Sequence, residues 1–292
     1  MCYNTVAELL AQCRDCNVLP ERVILENEKV LTGRTEDEIY AELEARYAVM
    51  CASATKALDT PQQMVCGLIE GQSAHQQGYA GGSTLSGAFL NRIMAMAFSC
   101  SEVNASMGRI CAAPTAGSCG ILPAVLLGLE QEYHVPRRAV LNALLVASGI
   151  GAIITKNATI AGAEGGCQAE CGTAAAMAAA AAVSIAGGSA EMMAAASGIA
   201  LVNVMGLVCD PVAGLVQLPC SFRNASGAVN ALISADLALA GQQPGIPVDQ
   251  VIDAMYRVGR KLPMELRETA LGGMAAEPAA KEIAKKLYAK KA

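Results

Sequence analysis

Three stretches of the chain place cysteine or hydroxyl side chains beside glycine and proline. They are residues 113–126 (APTAGSCGILPAVL), 157–172 (NATIAGAEGGCQAECG) and 209–225 (CDPVAGLVQLPCSFRNA). Cys167 follows two glycines just before an alanine-rich run, where the N-terminus of a helix would favour its thiolate. Cys209 and Cys220 flank a connection that contains proline and glycine, so a loop can present both sulfurs inward. These residue types indicate a buried metal centre.

The chemistry of such a centre follows from the number of its ligands. Three cysteines that converge in a helical bundle leave one iron of an iron-sulfur cluster without a protein ligand, and an exposed iron is a Lewis acid. Iron bound to the hydroxyl of a hydroxy amino acid makes it a better leaving group, while a general base removes the Cα proton. Spacing alone does not identify the centre, because no C-x-x-C-x-x-C run is present and a cysteine in an apolar chain is usually a small buried hydrophobe.

Two residues are candidates for acid–base catalysis. Glu170 is either a hydrogen-bond partner of the ligands around the centre, a base, or a charge that stabilises the first turn of its helix. His75 lies among glutamine and glycine, and its imidazole either faces the active site or is an ordinary surface group.

Five further residues are candidates for binding or positioning a substrate. Arg223 and Asn224 would fix a carboxylate or hydrogen-bond a cluster sulfur, although an arginine that follows a proline can also cap a backbone carbonyl. The glycine-containing turn with Thr115, Gly117 and Ser118 either binds a carboxylate through free N–H groups or caps a helix.

Composition excludes several classes of function. With a net charge of -5 and no basic tract beyond a short lysine-rich C-terminal tail, the chain is not expected to bind nucleic acid. The N-terminal residues lack a basic region and a continuous apolar stretch, so we expect no secretory signal and a cytoplasmic protein. Its twelve cysteines are then expected to be ligands or buried thiols. Two charge-free stretches, 171–190 and 192–209, are interpreted as buried helices and not as membrane spans.

The pattern of apolar residues predicts one all-α domain over residues 1–292. Residues 1–60 carry seventeen charged side chains and residues 111–210 carry nine, which indicates charged peripheral helices followed by a buried middle. Strand-like alternation is nearly absent. Helices are predicted at 35–58, 60–79, 84–108, 118–132, 136–154, 170–186, 189–206, 222–240, 247–259 and 276–290.

The run CGTAAAMAAAAAVSIAGG, residues 171–188, predicts the central helix of a bundle. Alanine is the strongest helix former, and its small side chain permits close contact on every face. A surface helix would carry glutamate and lysine on its outer face, and no charged residue lies between Glu170 and Glu191. We therefore expect a helical bundle around a buried Ala/Gly-rich helix.

Two of the stretches carry motifs of a known family. Residues 157–170 match NA-I-GA-GGCQ-E, and residues 209–225 match CDPV-GLV--PC--RNA. By these motifs the chain resembles the α subunit of two-chain iron-sulfur L-serine dehydratases. The likeness extends over residues 82–276, which are expected to form the cluster-binding catalytic core.

The resemblance implies a reaction, a cofactor and a partner. Cys167, Cys209 and Cys220 take the family's ligand positions around a [4Fe-4S] cluster, and L-serine is converted to pyruvate and ammonia. The fourth iron is expected to be open, since no cysteine follows Cys220 where single-chain relatives end in one. A β subunit is expected to complete the enzyme, and αβ pairs can assemble into a larger oligomer.

Three features depart from the family pattern. Gln72 and His75 stand where aspartate and lysine are usual, which puts substrate choice in doubt. Ser221 and Phe222 replace a pair that more often includes a charged residue, close to the expected cluster. Cys171 is an additional cysteine on the same helix face as the first ligand, and it is either an alternative ligand or a buried thiol.

Three other functions fit parts of the sequence. A related iron-sulfur lyase, such as an L-cysteine desulfidase, would expel a thiol instead of a hydroxyl. A pyridoxal-phosphate lyase would use Lys156, the one lysine of the buried middle, although no aromatic residue that could stack on the cofactor is nearby. A non-catalytic scaffold would bind a partner through the charged N-terminal part.

Overall fold

The computed structural model describes residues 3–289, and this part of the chain is helical. Short 3₁₀ turns, one π-helical turn and a single isolated β-bridge accompany the α-helices, and the described residues contain no strand. The helices are α1 (Val6–Cys16), α2 (Pro20–Thr32), α3 (Glu36–Lys56), α4 (Gln72–Ala80), α5 (Gly87–Ala105), α6 (Ile121–Tyr133), α7 (Arg137–Asn157), α8 (Gly162–Gly165), α9 (Thr173–Ile185), α10 (Ala190–Val202), α11 (Cys220–Leu239), α12 (Val248–Lys261) and α13 (Pro278–Ala289). The predicted all-α class is confirmed.

Helix α9 is the centre of the bundle. Its alanines at positions 174–176 and 178–181 are fully buried, and the helix packs against α6, α7, α10 and α11. Because alanine projects only a methyl group, four neighbouring helices can approach the α9 backbone at once. The predicted buried Ala-rich central helix is confirmed.

The N-terminal helices contribute to the same core. A capping box starts α3: the Thr35 hydroxyl accepts a hydrogen bond from the Glu38 N–H, and the Glu38 carboxylate accepts one from the Thr35 N–H. Leu9, Ile24 and Tyr47, one from each of the first three helices, lie in the main hydrophobic core. The charged side chains of residues 1–60 therefore form the outer faces of helices whose inner faces are buried. The division of the chain at residues 60 and 82 stays a prediction.

Helix α7 is the one helix of the described residues that is long and apolar enough to cross a membrane. Of its most apolar window, 67% is buried inside the protein. A core helix of a bundle has the same length and composition, and the packing of α7 on α9 accounts for both properties.

The predicted helix at 60–79 is wrong in its first half. Only Gln72–Ala80 is helical, and residues 57–71 form turns. Cys66 and Gly71 have φ values of 66° and 83°, a left-handed conformation that ends a helix. The other predicted helices agree with the structure to within about four residues.

A buried carboxylate explains how residues 57–71 are held without helical hydrogen bonds. Glu102 of α5 is fully buried and accepts hydrogen bonds from the backbone N–H groups of Gln62, Gly71 and Ser73 at 3.1, 3.2 and 2.8 Å. Backbone donors need partners when they leave solvent. Glu102 accepts hydrogen bonds from three of these donors, so it fixes the path of the chain into α4.

Glu102→Ala is expected to lower the free energy of unfolding by roughly 2–4 kcal/mol, because buried backbone donors lose their acceptor. Urea denaturation of the metal-free protein measures the change. Glu70→Ala is the matched control, since Glu70 is exposed on the same segment. Equal effects of the two substitutions would contradict the role assigned to Glu102.

Candidate active site

Cysteines from separate stretches of sequence meet near the N-terminal ends of helices. Cys167 precedes the π-helical turn Gln168–Gly172 that leads into α9, Cys220 is the first residue of α11, and Cys209 lies in the connection before it. Negative charge on Cys167 raises the pKa of both other thiols, and Cys220 raises the pKa of Cys209. Each pair of the three predicted ligands is therefore within electrostatic reach.

A fourth sulfur belongs to the same group. The Sγ atoms of Cys167 and Cys171 are 3.3 Å apart, on one face of the π-helical turn and the helix that it starts. The hydrogen bond between the two thiols is the largest cause of the lowered pKa of Cys167 and of the raised pKa of Cys171, which lies well above the usual range. The expected proximity of the two thiols is confirmed. Single π-helical turns are common at functional sites.

Burial opposes ionisation of the other two thiols. It is the largest cause that raises the pKa of Cys220 to about 12, and it also raises the pKa of Cys209. Without a positive partner these thiols keep their protons at neutral pH. A bound metal would displace the protons, because thiolate sulfur is the form that coordinates metal.

One cation lies beside the sulfurs. Arg223 donates hydrogen bonds from Nη2 to Asp210 Oδ1 and from Nη1 to the Val208 carbonyl, each at 2.8 Å. Its positive charge also lowers the pKa of Cys167. Asp210 in turn accepts a hydrogen bond from the Met274 N–H at 2.8 Å. The guanidinium is thus fixed by the protein in a place where it stabilises negative charge on sulfur.

Glu170 faces the same space as Cys209. An added Cβ on Gly162 would lie 2.7 Å from Glu170 Oε2 and 3.0 Å from Cys209 Sγ, so only glycine fits between them. Burial raises the pKa of Glu170 to about 7, against the lowering effect of a hydrogen bond from Thr115. A carboxyl group with this pKa can accept or release a proton near neutral pH.

The turn with Thr115, Gly117 and Ser118 lies against Glu170. An added Cβ on Gly117 would be 3.4 Å from both carboxyl oxygens of Glu170. The hydroxyls of Thr115 and Ser118 are 3.2 Å apart and stabilise the turn. The sequence is compatible with either capping or substrate binding by this turn. The structure shows capping hydrogen bonds within the turn, which borders the carboxyl group of Glu170.

Asn224 connects this turn to α11. Its Nδ2 donates to the carbonyls of Gly117 and Cys220 at 2.7 and 2.9 Å, and its Oδ1 accepts from the Gly120 N–H at 2.8 Å. The side chain is 1% exposed. Its polar atoms are used inside the protein, so its observed role is to hold the turn beside Cys220.

Two residues singled out in the sequence lie away from the cysteines. His75 is exposed on α4, and no hydrogen bond or charge interaction described for residues 3–289 joins it to the sulfurs. Lys156 was expected in the buried middle, and this expectation is wrong. It is exposed at the end of α7, where its Nζ donates a hydrogen bond to Asn4 Oδ1. The basis for a pyridoxal-phosphate site is therefore lost.

Sequence analysis missed a segment that reaches the site from the far end of the chain. The Cys209 N–H donates to the Leu266 carbonyl at 2.9 Å, and the Glu268 N–H donates to the Cys209 carbonyl at 2.7 Å. Negative charge on Glu268 raises the pKa of both Cys209 and Glu170. The local sequence gave no signal for the partner of this segment.

The residues around the cysteines can be compared with what an iron-sulfur cluster requires. Within residues 3–289, no three His, Cys, Asp or Glu side chains converge on one ion position. Ligands of an iron-sulfur cluster bind different metal atoms and need not converge in this way. The fully buried hydroxyls of Thr173 and Ser221, two residues after Cys171 and one after Cys220, lack a hydrogen-bond partner in the described structure. Donors left over beside thiols fit a site that receives sulfur-rich acceptors.

The chain is similar to known proteins over most of its length. Residues 17–275 match the family described as serine dehydratase alpha chain. The chain is 50% identical to the L-serine dehydratase alpha chain of Peptoniphilus asaccharolyticus, over 96% of both chains. It is 43% identical to a probable L-serine dehydratase alpha chain of Bacillus subtilis (strain 168), over 98% of this chain and 95% of that one. It is 35% identical to L-serine dehydratase 1 of Escherichia coli (strain K12), where 94% of this chain matches 61% of the relative.

The raised pKa of Glu170 predicts a pH-dependent stability of the metal-free protein. The folded state holds the proton up to about pH 7, whereas an unfolded glutamate loses it near pH 4.5. Stability from this group is therefore present at low pH and is lost as the pH rises from about 4.5 through 7. Relative to Glu170→Gln, the wild type should lose unfolding free energy over this range in urea titrations. A difference that stays constant with pH would contradict the assignment.

Proposed function

Because the chain belongs to the serine dehydratase alpha chain family, we propose that it is the catalytic α subunit of an iron-sulfur L-serine dehydratase. The observation that carries the proposal is that Cys167, Cys209 and Cys220, on or near the segments that start α9 and α11, lie within electrostatic reach of one another. In the reaction, L-serine loses its Cα proton and its β-hydroxyl as water. The resulting enamine tautomerises and is hydrolysed to pyruvate and ammonia, so no oxidant or reductant is required.

The three cysteines would hold a [4Fe-4S] cluster. When bound, the cluster supplies a Lewis acid for the substrate hydroxyl at an iron that lacks a protein ligand. Arg223 offsets the negative charge of the thiolates, and Asp210 keeps the guanidinium in place. Arg223 donates hydrogen bonds to Val208 and Asp210, and a further hydrogen bond joins it to Cys167. This supports a role beside the sulfurs and not on the substrate carboxylate.

Glu170 is the group that would handle the proton. Its carboxyl lies beside Cys209 and the Thr115 turn, and burial keeps its pKa at about 7, so both protonation states are available under working conditions. The Thr115 hydroxyl donates to the carboxyl group and orients it. His75, exposed on α4, is a weaker candidate for this step.

The substrate carboxylate would lie at the turn formed by Thr115, Gly117 and Ser118. The first residues of a 3₁₀ turn leave backbone N–H groups without partners inside the turn, and these groups attract anions. Asn224 holds the turn next to the first residue of α11. The carboxylate and the proton-transfer group would then occupy neighbouring positions.

A partner chain is expected to complete the active site. The family and two of the relatives are described as alpha chains, which implies a partner subunit. In L-serine dehydratase 1 of Escherichia coli, the region similar to this chain is 61% of the protein. We propose that a separate β chain supplies the counterpart of the remaining length, and that the αβ enzyme works in the cytoplasm, where thiols stay reduced.

The direct test is anaerobic co-expression with the β chain, followed by assays of pyruvate and ammonia with L-serine. Equal amounts of both products are expected. Sulfide release from L-cysteine without turnover of L-serine would replace the proposal by the desulfidase alternative. Below about one iron per chain after anaerobic reconstitution, the cofactor proposal fails and a non-catalytic scaffold becomes the better interpretation.

Cys209→Ser is expected to abolish turnover and to lower bound iron and sulfide, because a buried serine hydroxyl is a poor ligand for iron. Its far-ultraviolet circular dichroism should match the wild type. Cys111→Ser is the matched control, since Cys111 is half-buried and the charge that acts on it comes from Arg46. Full iron content in Cys209→Ser would remove this residue from the ligand set.

A further inference from the structure

The carboxylates around the cysteines differ in their partners. Asp210 is paired with Arg223. Glu170 is hydrogen-bonded by Thr115, and burial raises its pKa. Glu268 is exposed, and no hydrogen bond or ion pair described for residues 3–289 involves its carboxylate. It is therefore the carboxylate of this group that is available to a ligand.

The backbone fixes the place of Glu268. Its N–H donates to the Cys209 carbonyl at 2.7 Å, and the residue has a φ of 64°. Non-glycine residues adopt this left-handed conformation at a cost, and such residues are frequent where a functional side chain must be presented. The neighbouring bond from the Cys209 N–H to the Leu266 carbonyl holds the same segment. The segment is thus attached directly to a proposed cluster ligand.

Glu268 shares its surroundings with the proton-transfer group. Its charge acts on both Glu170 and Cys209. The Glu170 carboxyl accepts a hydrogen bond from Thr115 and is already assigned to proton transfer, whereas the Glu268 carboxylate is exposed and has no described partner. A substrate with an ammonium group next to the reacting carbon needs an anion beside the proton-transfer group, and Glu268 can supply it.

We propose that Glu268 binds the α-ammonium group of the substrate and so makes the site selective for α-amino acids over hydroxy acids that lack the amine. The inference rests on the proposed function, since it assigns a binding group to the substrate of that reaction. It requires the ammonium to lie beside residues 266–268. The carboxylate would then point toward the turn at Thr115.

The test uses the reconstituted enzyme with its β chain and the variant Glu268→Gln, which keeps the backbone N–H and the side-chain length. Loss of a charged hydrogen bond should raise the KM for L-serine about tenfold or more, with a smaller change in kcat. The inhibition constant of 3-hydroxypropanoate, which has the carboxylate and hydroxyl but no amine, should change less than about twofold. Glu265→Gln, an exposed glutamate of the same segment, is the control and should leave all constants unchanged.

Each result decides between two interpretations. Equal weakening of L-serine and 3-hydroxypropanoate would show a general structural effect and overturn the inference, as would an unchanged KM. If the wild-type enzyme does not turn over L-serine, the proposed function has failed, and calorimetric titration with L-serine then decides the binding role. Binding to the wild type that weakens in Glu268→Gln supports it, and no binding or equal binding overturns it.

Discussion

The arrangement of the site depends on the cost of placing negative sulfur in an interior that excludes water. Burial raises the pKa of Cys209 and Cys220, so the fold by itself disfavours the thiolates that a metal requires. The protein offsets part of this cost with the hydrogen bond between the Cys167 and Cys171 thiols and with the positive charge of Arg223, both of which lower the pKa of Cys167. Positive charge from a bound metal would offset the remaining cost of forming the thiolates. Loss of the thiol protons and binding of the metal would therefore occur together.

The helical bundle makes this concentration of sulfur possible through small side chains. Fully buried alanines on α9 allow α7, α10 and α11 to approach the central helix together, and the N-terminal ends of α9 and α11 then lie side by side. Gly162 likewise allows close packing at the site, because the side chain of any larger residue would clash with Glu170 and Cys209. Helices whose backbones pack this closely leave little room for aromatic rings, in agreement with the aromatic content of only 3%.

Local chemistry determined which parts could be predicted. The all-α class, the central alanine helix and most helix positions follow from periodicity and from glycine and proline, which act over a few residues. The turns before α4 could not be predicted, because Glu102 holds them from 31 or more positions away. For the same reason Glu268 was missed: its contact with Cys209 joins residues that no local pattern connects. The pairing of Cys167 with Cys171 was visible, since it lies within one turn.

Three carboxylates of one site illustrate how environment separates chemically identical groups. Asp210 accepts from a guanidinium and a backbone N–H, so its charge is used to hold Arg223 beside sulfur. Glu170 lies among buried groups, and its pKa of about 7 follows chiefly from lost hydration. Glu268 remains in contact with solvent, and no hydrogen bond or ion pair described for residues 3–289 involves its carboxylate. Burial and hydrogen bonding, and not the chemistry of the carboxyl group itself, therefore make these three groups differ.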